Sequence, residues 1–116
     1  MVRTAPLTSL ERAMPRVHVH VLYPHSERFD WTYYVEQHMP MAGAKMDLVE
    51  WWVAKGLDDV APAAYQAIAT LVFDSLEKWT SSFAAFGPDL LTDIPNYTDA
   101  VPTIQVTEIS GSGKKA

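Results

Sequence analysis

Three observations on this sequence predict an α+β domain of the ferredoxin-like kind, with one antiparallel sheet and both helices on one side. Segments of period two and of period three to four follow one another in the order β-α-β-β-α-β. The chain has 116 residues, 48% of them apolar and 20% charged, which suits one globular domain with one core. The uncovered sheet face is the third observation. It carries Leu22, Ile68, Val72 and one side of a Trp-rich strand, and a second copy is expected to bury it, closing a two-sheet dimeric α+β barrel.

The first strand is Val17-His-Val-His-Val-Leu, bounded by Tyr23-Pro24. Its valines take one face and His18, His20 and Leu22 the other. Asp30 suits the N-cap of the first helix, because its carboxylate can accept from free N–H groups of the first turn. Phe29 and Tyr34 fall at the spacing of a hydrophobic staple. The helix is expected to pass Gln37-His38 and to kink or end around Pro40, which has no N–H to donate.

Leu48 to about Ala54 reads as the second strand, and 55–64, with Gly56, Asp58, Asp59 and Pro62, as a loop. The third strand runs from Tyr65 to Phe73. Tyr65, Ala67, Ala69, Leu71 and Phe73 share one face, and the small alanines suit close helices. Asp74-Ser-Leu-Glu77 matches a capping box, followed by the apolar stripe Leu76, Trp79, Phe83 and Phe86. Gly87-Pro88 is expected to stop that helix. Residues 89–102 have room for one short helical turn, and Thr103 to Ile109 is the last strand. The domain is thus expected over 17–109, between an N-terminal extension, 1–16, and a flexible tail, 110–116.

Composition removes several classes of function. No apolar run approaches the roughly 20 residues of a membrane-spanning helix, so no membrane partner is expected. The opening MVRTAPLTSLERAMPR lacks an apolar stretch of signal-peptide length. Cysteine is absent, which excludes thiolate chemistry and, with that opening, suggests a cytoplasmic protein. The net charge is -5 and the only basic cluster is Lys114-Lys115, so nucleic acid is not an expected partner. Gly-rich phosphate loops, G-x-S-x-G elbows and H-E-x-x-H motifs are all missing.

His38 is the leading catalytic candidate. It follows Tyr34 by four residues, so both side chains share a helix face where an imidazole and a phenol can exchange complementary protons. The carbonyl left without a partner by Pro40 is a candidate for fixing the imidazole tautomer. The competing reading is structural, with His38 plugging a kinked helix end. His18 and His20 share a strand face about 7 Å apart, and are candidate substrate-binding residues lending polarity to a barrel interior. They make a weak metal signal, because Glu50 or Glu108 as third ligand is not demanded by spacing, and no metal is expected. Trp51 or Trp52 is expected to wall the pocket. Only one of them can enter it, since neighbours on a strand face opposite ways. Trp79 reads as helix–sheet core, and His25 as a solvated turn residue.

Leu22-Tyr-Pro, Phe29-Asp-x-x-Tyr-Tyr-x-x-x-His-Met-Pro, Leu71-x-Phe-Asp-Ser and Asp93-Ile-Pro-Asn-Tyr-Thr-Asp together resemble the ethyl tert-butyl ether degradation (EthD) family, over roughly 17–109. The resemblance implies a ferredoxin-like dimeric α+β barrel. The histidine and paired tyrosines of the family motif map to His38, Tyr33 and Tyr34, which makes Tyr33 a further substrate-binding candidate. Family members sit beside oxidative ether-degradation systems or in aromatic polyketide pathways, and many have no assigned chemistry. The expected protein is a homodimer binding a small apolar, cyclic or aromatic metabolite. With His38 as acid/base and no cofactor, it would act as an isomerase, dehydratase, decarboxylase or oxidoreductase in catabolism or polyketide synthesis. The alternative is a non-catalytic accessory protein of an oxidative degradation system.

Overall fold

The computed structural model describes residues 15–115; the sequence reading of residues 1–14 falls outside them. Strand β1 (Val17–Tyr23) is followed by a first helix, α1 (31–45). Next come β2 (Glu50–Lys55), β3 (Ala67–Phe73), a second helix α2 (Leu76–Asp93), a short 3₁₀ turn Ile94–Asn96 and β4 (Thr103–Thr107). The four strands form one antiparallel sheet in the order β2-β3-β1-β4, so β1 and β3 are central. This is the ferredoxin-like βαββαβ arrangement. No helix among the described residues is long and apolar enough to cross a membrane.

Strand register assigns every side chain to a face. Val19 lies opposite Leu71 and Val106, so these, with Val17, Tyr23, Ala67, Ala69 and Phe73, turn toward the helices. That face is the core: Val19, Ala67 and Phe73 are fully buried. His20 lies opposite Thr70 and Gln105, and Thr70 opposite Trp52, which puts all four on the other face.

Of the two outcomes expected around Pro40, a kink or an end, the first helix does not take the end. Asp30 caps it, accepting from the Tyr33 N–H at 3.1 Å, and Phe29 packs on Tyr34 with ring centroids 5.1 Å apart. It opens as an α-turn, Trp31–Tyr33, widens to a π-helical segment, Tyr34–His38, and returns to α over Met39–Lys45. Pro40 cannot bond the carbonyl four residues back. The helix widens by one residue just before it, the Met39 N–H reaching Tyr34 O, and continues.

Gly87-Pro88 does not end α2 either, since the helix runs on to Asp93. The helical clash before a proline involves the Cβ of the preceding residue, and Gly87 has none. Gly87 also makes room: a Cβ there would meet the Phe83 ring at 2.7 Å. Residues 89–93, expected outside the helix, therefore form its last turn.

The N-cap of α2 is Ser75, accepting from Lys78 N–H at 3.2 Å, and not Asp74, which pairs instead with Arg16 at 3.0 Å. Ser75 takes the extended backbone of a cap and sits one residue later than the capping-box pattern placed it. Three strand ends also shift inward. β2 begins at Glu50, β3 at Ala67 and β4 ends at Thr107. Each runs only as far as its neighbour pairs with it.

Candidate functional site

A cavity of about 50 Å³ lies between the helices and the helix-facing side of the sheet. Tyr34, His38 and Met39 of α1, Trp79, Phe83 and Leu90 of α2, and Tyr23 of β1 supply most of its walls. Leu91 and Ile104, both well exposed, form part of its rim. None of its lining residues is Asp, Glu, Lys or Arg.

The π-helical segment sets the polar end of this cavity. With the turn widened beyond 3.6 residues, positions four apart come closer to alignment, and the Tyr34 and His38 rings stack at 5.9 Å. His38 is 6% exposed, and its Nδ1–H donates to Asp93 Oδ2 at 2.8 Å. Asp93 Oδ1 accepts from the Tyr33 hydroxyl at 2.7 Å and from Asn96 Nδ2 at 2.9 Å. A carboxylate can only accept, so the proton resides on Nδ1 and the lone pair on Nε2. No hydrogen-bond partner engages Nε2 among the described residues. Asp93, and not the carbonyl freed by Pro40, fixes the tautomer.

Burial pushes His38 below the ordinary histidine value, and the hydrogen bond and charge of Asp93 only partly oppose it. His38 is therefore a neutral base near pH 7. Burial would raise the Asp93 carboxyl, but the hydrogen bonds from Tyr33, His38 and Asn96 outweigh it and hold the group below its usual range. The pair is an anion supporting a neutral imidazole.

Tyr34 completes the site. Its ring is fully buried, and its hydroxyl is the one buried side-chain polar atom among the described residues without a partner at hydrogen-bond geometry; the Tyr23 hydroxyl lies near enough to influence it but is already bonded to Tyr97. Such a group costs about 1–3 kcal/mol unless something satisfies it. The neighbouring hydroxyls of Tyr23 and Tyr97 bond each other at 2.6 Å. Burial pushes Tyr23 up to about 12 and Tyr34 further still, so each remains a protonated donor.

Comparison with solved structures agrees with this architecture. No protein-family model matches the chain, and no curated protein does. An EthD-like protein from Ralstonia eutropha JMP134 is 34% identical, with a TM-score of 0.78 over 86% of this chain and 96% of that one. The chain belongs to the EthD-like family. An EthD family protein from Bacillus halodurans C-125 (16% identity, TM-score 0.67, 81% and 98% covered) shares the fold. So does SnoaB, a cofactor-independent oxygenase from Streptomyces nogalater, in its N63A mutant (12%, 0.56, 84% and 94%). The fold is that of the dimeric α+β barrels.

The EthD-like framework divides the residues singled out from sequence. Tyr34 and His38 line the cavity together. Tyr33 does not line it and instead holds Asp93. His18, His20 and Trp52 lie on the opposite sheet face and cannot share a pocket with His38. Trp51 turns toward the helices, where a Cβ on Gly43 would approach its Nε1 to 3.0 Å; it packs α1 onto the sheet and does not line the cavity. The aromatic wall is Trp79, Phe83 and Tyr23. Asp93, Asn96 and Tyr97 were missed as site residues, although the Asp93-Ile-Pro-Asn-Tyr motif held all three and the Asp-x-x-Asn spacing places both on one turn. No group of three or more metal-ligating side chains forms among the described residues.

Proposed function

We propose that this EthD-like chain binds a small neutral compound in the helix-side cavity and moves a proton on it without a cofactor. The observation that carries this reading is the buried Tyr34 hydroxyl, unsatisfied, beside a neutral His38 whose Nε2 is free. A ligand carbonyl or hydroxyl oxygen would accept from Tyr34 while Nε2 takes a proton from an adjacent carbon or oxygen. With no Lys or Arg among the described residues that line the cavity, an anionic ligand would lose its hydration without compensation, which favours a neutral one. Where the proton leaves carbon, the fate of the resulting carbanion separates isomerisation (protonation at another carbon), dehydration (loss of hydroxide) and reaction with oxygen, whereas decarboxylation would require a carboxylate substrate that this lining does not favour. A cavity that takes benzene measures about 150 Å³. A cyclic or aromatic substrate therefore enters only as flexible walls such as Met39 and Met46 give way.

The test is turnover of anthrone-like compounds and aromatic lactones by wild type, His38→Ala and Tyr34→Phe. His38→Ala should cost at least about 10²-fold in rate with the fold intact. Saturable binding without turnover by the wild type would instead support an accessory, ligand-carrying role.

The assembly proposed is a homodimer. Trp52, 43% exposed, together with Leu22 and Ile68 makes an apolar sheet face that a second copy would cover. Light scattering at micromolar concentration should give about twice the chain mass. A stable monomer would refute it.

A further inference from the structure

The open sheet face carries two histidines at its centre, and nothing in the cavity chemistry uses them. His18 and His20 stand on β1, a central strand, with ring centroids 6.3 Å apart. The His18 ring meets Trp52 edge-on at 6.1 Å. His20 bridges its neighbouring strands, Nδ1 to the Thr70 hydroxyl at 3.1 Å and Nε2 to the Thr107 hydroxyl at 2.9 Å. Both partners are neutral.

Charges able to offset a histidinium here are few. From β2 the face presents Glu50, on an edge strand and in register with Val72. β3 contributes Ile68, Thr70 and Val72, and β4 contributes Thr103, Gln105 and Thr107, none of them ionisable. Arg16 and Asp74, beyond the strand ends, pair with each other at 3.0 Å. A facing copy would bring the same set again.

We infer that His18 and His20 make self-association of this chain acid-labile, the sheet-to-sheet dimer being favoured with both rings neutral and opposed when they are protonated. This rests on the homodimer proposed above. Packed sheets lie about 10 Å apart, so side chains at the centre of each face lose water when the barrel closes. Neutral imidazoles tolerate that loss, with His20 already satisfied by two hydroxyls. Protonated, they would place like charges from both copies in one dry interior, with Glu50 as the one counter-charge that the described strands turn to this face. Burial and the neighbouring His18 already lower the affinity of His20 for a proton in the single chain. The dimer thus binds fewer protons than its separated copies, and by linkage its dissociation constant rises as pH falls through the histidine range.

Sedimentation equilibrium of the full chain at pH 7.5 and 5.5, with circular dichroism at both, tests this. Wild type should weaken by about tenfold or more while remaining folded, and a His18→Gln/His20→Gln variant by less than about threefold. An equally pH-sensitive double variant, a pH-independent wild-type dimer, or loss of mass in step with unfolding would overturn the inference. A monomer at both pH values overturns it together with the homodimer, whereas a pH-insensitive dimer removes the histidine role alone. Should the double variant not fold, histidine ring-proton titrations of dilute and concentrated wild type decide. Lower titration midpoints are expected in the dimer, and equal ones refute it.

Discussion

The two faces of the sheet hold histidine in different chemical states. On the helix side, His38 gives one ring nitrogen to the Asp93 carboxylate and keeps the other free on a cavity. On the open side, His20 spends both nitrogens on threonine hydroxyls. A base needs a lone pair within reach of a substrate and a fixed tautomer, and only the first arrangement supplies both. The second is a cross-strand clamp. The His-x-His alternation is conspicuous in the sequence, but the partners of each ring, not the residue type, separate chemistry from scaffolding.

The largest expected effect tests whether the helix side carries the stability of the fold. Phe73 is fully buried there and packs on Trp79 at 5.6 Å. Phe73→Ala should cost about 3–5 kcal/mol in urea denaturation. A loss below about 1 kcal/mol would mean that face is not the main core.

Next comes Asp93→Asn, which removes the anion shared by Tyr33, His38 and Asn96. A loss of about 1.5–3 kcal/mol is expected at neutral pH. The same pair predicts acid sensitivity. Asp93 titrates below its ordinary value when folded, so its contribution is complete above about pH 4 and is lost as pH falls through the depressed folded value. His38 is also depressed. Below about pH 6.5 the unfolded chain takes up that proton first, and stability falls with pH until the folded ring titrates. Denaturation midpoints from pH 8 to 3 should therefore fall in both windows for wild type. The Asn variant should lose the lower one.

The smallest effect sharpens the comparison most. Tyr34→Phe deletes a hydroxyl that has no partner at hydrogen-bond geometry among the described residues, the nearby Tyr23 hydroxyl being bonded to Tyr97, so stability should stay within about 0.5 kcal/mol of wild type or rise. Loss of turnover with unchanged stability marks the hydroxyl as a ligand contact. A loss of about 1 kcal/mol or more would mean it has a protein partner after all.

Much of the fold was legible because strand alternation is a local signal. Val17, Val19 and the alanines of β3 declare their face without reference to anything distant. The form of the distortion before Pro40 and the passage of α2 through Gly87-Pro88 were not legible because the remedies are not local propensities. One is a widened turn; the other is a glycine whose missing Cβ suits both the following proline and the Phe83 ring. For the site, the shared face of Tyr34 and His38 followed from their spacing. Asp93 lies 55 residues from His38 along the chain, and only the packing of α1 against the end of α2 brings them together. Which aromatic residue walls the cavity likewise depended on tertiary packing, since Trp79 of α2 lines it and neither Trp51 nor Trp52 does.

The widened turn in α1 makes the geometry of the site a matter of counting. Between Tyr34 and His38 stand Val35, Glu36 and Gln37, all exposed. Their identities matter little to the cavity, but their number sets where His38 points. A helix that lost Gln37 and returned to its ordinary pitch would turn about 300° from Tyr34 to His38, close to the turn that four residues make in the widened segment, so the register beyond it is kept. A second lost residue has no widened turn left to absorb it and would swing His38 by about 100° around the axis, out of reach of Asp93. The widened turn is thus one residue of slack, which lets this segment change length by that much without turning the imidazole away from its carboxylate.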